Sequence, residues 1–183
     1  MNQNERIENE LLVIRAQEGS VEAFAKLVER WQERLWRLAW RLTDDEQAAW
    51  DVLQEAWIVI SRQIRGLGDS SAFPAWAYRI ISNKSRDWIR RRQRMRRADE
   101  AYGQRWLEAE NGEGTAERQY ADLREALADL SGRDRAILSL RYEDNFSTVE
   151  IAEILEIPPG TVKSRLHHAR LRLQQIVEGK RNE

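Results

Sequence analysis

The sequence contains no cysteine, only three prolines and only two histidines in 183 residues. The absence of cysteine excludes disulfide bonds and thiolate metal sites, and two adjacent histidines cannot complete a metal site alone. We therefore predict neither a metal nor any other cofactor. No apolar run is long enough to span a membrane and no signal peptide is found, so the sequence predicts a cytoplasmic protein without membrane insertion.

Strand patterns of useful length are also missing, because no segment alternates apolar and polar residues as a half-buried strand does. Apolar residues instead recur at spacings of three and four, as they do on one face of a helix. Hydrophobic residues make up 42% of the chain and charged residues 33%, a balance that suits helical bundles. The sequence therefore predicts an all-α protein.

Charge and glycine divide the chain into three parts. Residues 86–97 hold seven Arg and one Asp, whereas residues 98–122 hold seven acids and two Arg. The stretch 98–117 has three glycines and little periodicity, which is typical of a linker. We predict two small helical domains, 1–97 and 118–183, joined by this flexible acidic linker, with a helix-turn-helix in the second domain.

Four amphipathic helices are predicted in the first domain. Three of them begin after hydroxyl side chains that can accept a hydrogen bond from an unpaired N–H: Ser20, Thr43 (with Glu46 three residues on) and Ser70 or Ser71. The apolar side of the first helix is predicted to be Ile7, Leu11, Leu12 and Ile14. The buried side of the third helix is predicted to be Ala49, Val52, Leu53, Ala56, Ile60 and Ile64.

Two short helices joined by a tight turn are predicted near the end of the chain. Ser147 and Glu150 form a capping box, Pro158 ends the first helix and Pro159 starts the second. The second helix has no acid as far as Leu173. Its apolar face is Val162, Leu166, Ala169 and Leu173. A basic second helix with small hydroxyl residues at its start is typical of a helix-turn-helix, whose second helix enters the major groove. An ordinary αα-hairpin with a solvated basic face is the alternative.

The fourth helix of the first domain carries a polar stripe that also predicts nucleic-acid binding. The stripe consists of Arg79, Ser82, Asn83, Arg86 and Arg90. Guanidinium groups bind phosphate oxygens in pairs, and Asn adds a group that can read bases. Phe73 and Trp76 at the helix start could stack on unpaired bases. The alternative is a cationic surface with an aromatic core contact.

Tryptophan beside acids and an amide predicts a protein-docking face on the third helix, since aromatic anchors dominate protein interfaces. This face consists of Trp50, Asp51, Gln54, Glu55, Trp57 and Ile58. A solvated face with two half-buried tryptophans is the alternative. The acids Asp44, Asp45 and Glu46 are interpreted as first-turn acids favoured by the helix dipole, not as catalytic carboxylates. No enzyme activity is predicted.

In this order, the features resemble the extracytoplasmic-function (group IV) sigma factors of bacterial RNA polymerase. DVLQEAW, residues 51–57, resembles the helix that grips the clamp helices of the polymerase. Residues 68–92 resemble the loop and helix that open and hold the minus-ten promoter element. LSGRDRAILSLRY, residues 130–142, and IAEILEIPPGTVKSRLHHAR, residues 151–170, resemble the domain that reads the minus-thirty-five element.

The resemblance implies a non-catalytic specificity subunit that binds core RNA polymerase and directs promoter recognition, strand opening and transcription initiation. The implied polymerase contacts are Trp50, Asp51, Gln54, Glu55, Trp57 and Ile58. The implied single-stranded DNA contacts are Asp69, Ser70, Ser71, Phe73, Trp76, Arg79, Asn83, Arg86, Arg90 and Arg91. The implied duplex contacts are Thr161, Lys163, Ser164, Arg165, His167, His168 and Arg172.

The implied partners are core RNA polymerase and promoter DNA, without a small-molecule substrate. An anti-sigma protein is a further candidate partner, although no residue identifies one. A stand-alone helix-turn-helix regulator is a competing hypothesis, but it leaves the tryptophan-flanked face at Gln54 unexplained. An enzyme acting on nucleic acid is a third, and the sequence has no carboxylate cluster, metal site or nucleophile that would suit it.

Overall fold

The computed structural model describes the backbone of residues 3–101 and 130–179, and the side chains of 3–97 and 130–175. Seven α-helices and no strand occur in these ranges, which confirms the all-α prediction. The chain divides into two compact units, Met1–Ala98 and Asp99–Glu183. Most of the predicted linker and the predicted start of the second domain lie outside the described residues.

The first unit is built from four helices. They are α1 (Gln3–Gln17), α2 (Val21–Thr43), α3 (Glu46–Gln63) and α4 (Phe73–Ala101), and short 3-10 turns at Ile64–Gly66 and Ser70–Ala72 lie between α3 and α4. α4 therefore continues beyond Arg97, where the first domain was predicted to end.

The second unit contains α5 (Gly132–Tyr142), α6 (Thr148–Leu155) and α7 (Pro159–Gly179), and α7 packs against both α5 and α6. Both bonds of the predicted capping box are present: Glu150 N donates to Ser147 Oγ at 3.2 Å, and Ser147 N donates to a Glu150 carboxylate oxygen at 2.7 Å. Pro159 begins α7 as predicted. The helix-turn-helix of the second domain is therefore confirmed as a structural element.

Helix starts in the first unit follow the prediction at one position and depart from it at two. Ser20 caps α2 by accepting from Ala23 N at 3.1 Å. Thr43 does not cap α3, because it is the last residue of α2 and its hydroxyl donates to the Ala39 carbonyl at 2.9 Å. Asp45 caps α3 instead, accepting from Ala48 N at 2.9 Å.

The second departure lies before α4, where neither Ser70 nor Ser71 is the cap. Asp69 caps the 3-10 turn by accepting from Ser71 N at 2.9 Å, and α4 follows this turn directly. At both wrong positions an Asp within two residues of the predicted hydroxyl is the cap instead, and Asp is as good an N-cap as Ser.

Aromatic packing around Trp31 forms the centre of the first unit. Trp31 of α2 is 3% exposed, and its ring meets those of Phe73 and Tyr78 of α4 edge-on at 6.0 and 6.3 Å. The predicted buried face of α3 is confirmed at every position, Ala49, Val52, Leu53, Ala56, Ile60 and Ile64. The core therefore joins α2, α3 and α4.

The predicted apolar side of α1 is wrong. Ile7, Leu11 and Ile14 are 51%, 49% and 42% exposed, whereas the buried residues of α1 are Asn9, Val13 and Ala16. Asn9 Oδ1 accepts a hydrogen bond of 2.7 Å from Trp31 Nε1, so the buried amide is satisfied and the helix turns its smaller side chains inward.

Replacing Asn9 by alanine should lower the free energy of unfolding by about 1–3 kcal/mol, because Trp31 Nε1 would stay buried without an acceptor. Urea denaturation followed by tryptophan fluorescence measures the change. Asn4→Ala is the control, since Asn4 is an exposed residue of the same helix and the substitution is the same. Equal midpoints for the two variants would contradict a stabilising role for the bond.

Candidate functional site

The outward side of α3 presents the predicted docking face. Asp51, Gln54 and Ile58 follow one another at spacings of three and four, and all three are exposed, Ile58 by 50%. Trp50 beside them is 43% exposed. Trp57 is only half-exposed, because its ring packs edge-on against Phe24 of α2 at 5.8 Å. The face therefore combines exposed apolar area with a carboxylate and an amide.

An aromatic cluster extends this face onto α2, which the sequence did not reveal. The Trp36 ring stacks on Trp40 at 5.6 Å and lies 5.5 Å from Trp50 of α3. Trp40 is 40% exposed, so two large rings from neighbouring helices reach the surface together. The four-residue spacing of Trp36 and Trp40 was a signal, but the partner on α3 depends on tertiary packing.

Glu55 of α3 is engaged within the unit instead of facing outward. Its carboxylate pairs with Lys84 Nζ at 3.0 Å and with Arg91 Nη2 at 3.6 Å, both on α4. The hydrogen bond from Lys84, with the positive charges of Lys84 and Arg91, holds the pKa of Glu55 below its ordinary value. Two residues predicted for different partners, Glu55 for polymerase and Arg91 for DNA, thus bind each other.

Four of the five residues predicted for the polar stripe of α4 remain at the surface, whereas Ser82 is wrong because its side chain is buried, 4% exposed. Arg79 and Arg90 are exposed, while Asn83 and Arg86 are half-exposed. Arg86 Nη2 donates to Asn83 Oδ1 at 3.1 Å, which fixes the amide between two guanidinium groups of the stripe. The arrangement offers phosphate-binding donors on either side of one group able to read a base edge.

Phe73 is unavailable for the base stacking predicted for it. Its side chain is 0% exposed and lies against Trp31 in the core. The apolar ring gains more from burial among other aromatic rings than from contact with water. Trp76 packs on Phe73 at 6.0 Å and stays half-exposed, so it is the member of the predicted pair that DNA could reach.

The loop before α4 is short and fixed. Asp69 and Ser71 are exposed and Ser70 is half-exposed. Hydrogen bonds from the Ser71 hydroxyl and backbone N–H hold the pKa of Asp69 below its ordinary value. A Cβ added at Gly66 or Gly68 would have no atom within 4 Å, so open space borders the loop backbone.

The residues predicted for duplex DNA lie mostly on the side of α7 opposite its buried face. Lys163, Ser164, His167, His168 and Arg172 are exposed, and Thr161 is half-exposed. Val162, Leu166 and Ala169 are buried as predicted, whereas Leu173, the fourth residue of the predicted apolar face, is only half-buried. The two imidazole rings lie 5.7 Å apart. Ser164 and His167, three residues apart, lie near the middle of the outward face.

Arg165 does not share that outward position. It lies three residues after Val162 and four before Ala169, next to the buried face, and its guanidinium pairs with Asp134 of α5 at 3.6 Å. Its prediction as a base-reading residue is therefore weakened in favour of its exposed neighbours. Sequence reasoning also missed Arg170, which donates a hydrogen bond to the Tyr142 hydroxyl and lies 5.5 Å from the centre of that ring.

Two negative findings apply to the residues that the structure describes. They contain no group of three or more His, Asp or Glu side chains arranged to hold a metal ion. None of their helices combines the length and the apolar character needed to cross a membrane.

Comparison with known proteins gives two family matches. The model described as sigma-70 region 2 matches residues 27–95, and the model described as sigma-70, region 4 matches residues 120–173. The ECF RNA polymerase sigma-E factor of Escherichia coli (strain K12) is 31% identical over 189 residues, covering 96% of this chain and 97% of that protein. The ECF RNA polymerase sigma factor SigW of Bacillus subtilis (strain 168) is 29% identical over 168 residues, covering 86% of this chain and 90% of that protein.

Two solved structures share the fold. CnrH in complex with the cytosolic domain of CnrY has a TM-score of 0.63 at 23% identity, covering 94% of this chain and 98% of that one. The sigma factor RpoE in complex with the anti-sigma factor NepR, from Bartonella quintana, has a TM-score of 0.66 at 24% identity, covering 86% and 98%. At these identities the likeness concerns the fold alone.

The contact between Glu55 and α4 should make stability depend on pH. Because the pKa of Glu55 is lowered from 4.5 in the folded state, its ionised form stabilises the protein above that pH and the effect is lost as the pH falls through the folded-state value. The difference in unfolding free energy between the parent and Glu55→Gln should therefore be largest near pH 7 and shrink towards pH 3. Urea titrations across this range measure it.

The control for this prediction is the same substitution made in a Lys84→Met background, where the main partner of the carboxylate is missing. The dependence on pH should be smaller there. A difference between parent and Glu55→Gln that is constant with pH would contradict the assignment.

Proposed function

We propose that this chain, which belongs to the extracytoplasmic-function (ECF) family of RNA polymerase sigma factors, docks on polymerase through α3, holds single-stranded DNA along α4 and reads duplex DNA with α7. The family defines the overall activity: the protein binds core RNA polymerase and directs it to promoters at the start of transcription. A stand-alone helix-turn-helix regulator is not favoured, because the match at 27–95 lies outside that motif.

The outward side of α3 is the docking surface that we propose for polymerase. The observation that carries this proposal is the exposure of Ile58 and Trp50 beside Asp51 and Gln54, on a helix whose opposite face is fully buried. Exposed apolar anchors with neighbouring polar groups are typical of protein interfaces. The rings of Trp36 and Trp40 would enlarge the contact, whereas Glu55 serves the packing of α3 on α4.

The stripe of α4 and the loop before it form the proposed single-strand surface. Arg79 and Arg90 would bind phosphates, and Asn83 and Trp76 would meet bases. The loop at Asp69 would hold a base that has left the stack. A surface that binds single-stranded DNA more tightly than duplex DNA would favour strand opening. Removing a base from a duplex costs a few kcal/mol, and an open strand does not require this energy.

Duplex recognition is assigned to the first turns of α7. Ser164 and His167 lie outward, with Lys163 and His168 on either side, and no acid weakens the positive potential between Gly160 and Leu173. A helix that enters the major groove contacts base edges with its first residues and phosphates farther along. Arg172 fits the second role.

The two proposed DNA-binding surfaces lie on different domains, which a linker joins. Once the first domain has bound DNA, the linker raises the effective concentration of the second. We place this activity in the cytoplasm, where polymerase and promoter DNA are found, and we expect no catalysis by the chain itself. Asp45, one of the acids near the start of α3, caps that helix and pairs with Arg92 at 3.4 Å, which is a structural role.

An anti-sigma protein is a further proposed partner. Support comes from the structure of RpoE, a fold relative that was solved with the anti-sigma factor NepR. Co-purification from the native cell would recover polymerase and such an inhibitor together.

Replacing Ile58 by aspartate should weaken binding to core polymerase at least about tenfold, or about 1.4 kcal/mol, because it places a charge at the centre of the proposed interface. Val21→Asp is the control, since Val21 is an apolar residue of the same unit that is 83% exposed and lies on another helix. Binding is measured with labelled core polymerase, and folding by circular dichroism. A folded Ile58→Asp protein that binds like the parent would remove α3 from the docking surface.

Replacing His167 by alanine should relax base preference at one position of the minus-thirty-five element, at a cost of about 1–3 kcal/mol. Arg172→Ala should weaken binding evenly across sequences and reduce its dependence on salt, because a phosphate contact is lost. Selection from duplexes randomised in this element, using holoenzyme, measures both effects. An unchanged preferred sequence for His167→Ala would remove that residue from the base-reading set.

A further inference from the structure

The last side chain of α1 reaches the loop that joins α3 to α4. Gln17 Nε2 donates to the Ile64 carbonyl at 2.9 Å and to the Leu67 carbonyl at 2.6 Å. An amide nitrogen carries two hydrogens, and the two carbonyls use both of them. One side chain from the start of the protein therefore fixes the backbone at both ends of the 3-10 turn Ile64–Gly66.

These carbonyls need such a donor. Ile64 follows the last residue of α3, where carbonyl groups run out of partners within the helix. Its oxygen also accepts from Leu67 N at 3.1 Å, which closes the turn. The Leu67 carbonyl comes after the turn in extended backbone, and Gln17 is the donor that the structure gives it. Loss of the amide would leave the Leu67 carbonyl without the donor that Gln17 supplies.

A second contact ties the same turn to the end of α1. Gly19 follows α1 with a left-handed φ of 100°, and a Cβ added there would lie 3.4 Å from the guanidinium of Arg65. Arg65 belongs to the turn, so its side chain lies against the junction between α1 and α2. The end of α1 thus meets the turn at two points, through the Gln17 side chain and at Gly19, where the guanidinium of Arg65 lies.

The far end of the loop is fixed independently. Asp69 accepts from Ser71 N at 2.9 Å through its side chain and from Ala72 N at 3.1 Å through its carbonyl. Between the two fixed ends lies Gly68, which is exposed and has nothing within 4 Å of the position of a Cβ. Gly19 is the glycine with positive φ in the described residues, so the backbone at Gly68 does not require glycine. Open space beside a fixed backbone is what the close approach of a base or a phosphate requires.

We propose that Gln17 is a positioning residue for minus-ten recognition: its amide fixes the loop at Leu67–Asp69 in the shape that discriminates the unstacked base. The inference rests on the proposed role of this loop in binding single-stranded DNA. A fixed polar pocket rejects a wrong base because its groups would be left unpaired, whereas a mobile loop adapts to any base. Affinity should depend less on Gln17, because the phosphate-binding arginines of α4 lie outside the loop.

The test measures base preference and stability separately. Gln17→Glu keeps the size of the side chain and removes both donors, and Gln17→Met removes them without adding a charge. Holoenzyme assembled from each variant selects single-stranded oligonucleotides randomised across the minus-ten element. Fluorescence anisotropy then compares the preferred oligonucleotide of the parent with its single-base variants.

The control is Asn9→Ala, which removes the buried hydrogen bond between α1 and Trp31 of α2, away from the loop. It should destabilise the protein while base preference stays as in the parent. Both Gln17 variants should lose about tenfold in preference at one position, with preferences elsewhere and holoenzyme assembly retained.

Several outcomes would overturn the proposal. Parent-like preference in both Gln17 variants would show that the loop does not need the amide. Equal loss at every position, or the same single-position loss in Asn9→Ala, would show a general effect of α1 packing. A parent that shows no position-specific preference for single strands would overturn the proposed role of the loop, and with it this inference.

Gly68→Ala tests the loop without touching the Gln17 bonds. Because nothing lies within 4 Å of the added methyl group, the variant should fold with parental stability. It should bind the preferred single-stranded oligonucleotide more weakly than the parent does. It should also lose base preference at the position that the Gln17 variants affect. Parental binding by a folded Gly68→Ala protein would exclude close approach of DNA at this loop and overturn the proposal.

Discussion

One indole group, that of Trp31, connects three of the four helices of the first unit. Its Nε1–H is taken by Asn9 of α1, and the edges of its ring meet Phe73 and Tyr78 of α4. A buried indole N–H needs an acceptor, and the buried oxygen of the Asn9 amide needs a donor. The hydrogen bond between them satisfies both groups and offsets the cost of burying them. The register of α1 on α2 is set by this pair.

The inward face of α1 continues from Asn9 to the other end of the helix. Val13 and Ala16, one and two turns after Asn9, are buried on the same side of α1. Gln17 at the end of this side lies beside the end of α3. Ile7, Leu11 and Ile14 lie off this buried side and are therefore exposed to solvent. Gln17 then meets the loop before α4 through its own two hydrogen bonds, independently of the bond between Asn9 and Trp31.

Sequence periodicity predicted the faces of α3 and α7 well, because those helices bury plain apolar residues such as Val52, Ile60, Val162 and Leu166. It failed on α1, where a polar residue belongs to the core. An apolar residue outranks Asn on any hydrophobicity scale, and the partner that reverses this order, Trp31, lies on another helix and is invisible to a local pattern. The wrong caps had a more local cause: Asp45 and Asp69 lie within two residues of the predicted hydroxyls, and Asp is an N-cap of similar strength.

Charged site residues show a similar limit. Sequence placed the basic residues of α4 and α7 on helices of the right kind, but it could not show that Glu55 would meet Lys84 or that Arg165 would meet Asp134. These pairs join helices that are separate in sequence, so no spacing rule within one helix predicts them. The sequence predicted the sign of the charge on each helix surface. It could not predict which charged side chains form ion pairs with other helices.

The strength of each ion pair decides how far it removes an arginine from DNA. Arg91 and Glu55 pair with side chains 54% and 42% exposed, and a pair so open to water contributes only about 0–1 kcal/mol. A phosphate, which binds guanidinium through paired hydrogen bonds, can replace such a partner, so Arg91 stays within the DNA-binding set. Arg165 and Asp134 are less exposed, at 33% and 24%, and water and salt screen their attraction less. Breaking that pair would leave two partly desolvated charges, so Arg165 contributes to the packing of α7 on α5, and the exposed residues Ser164 and His167 remain the ones that we propose for base contacts.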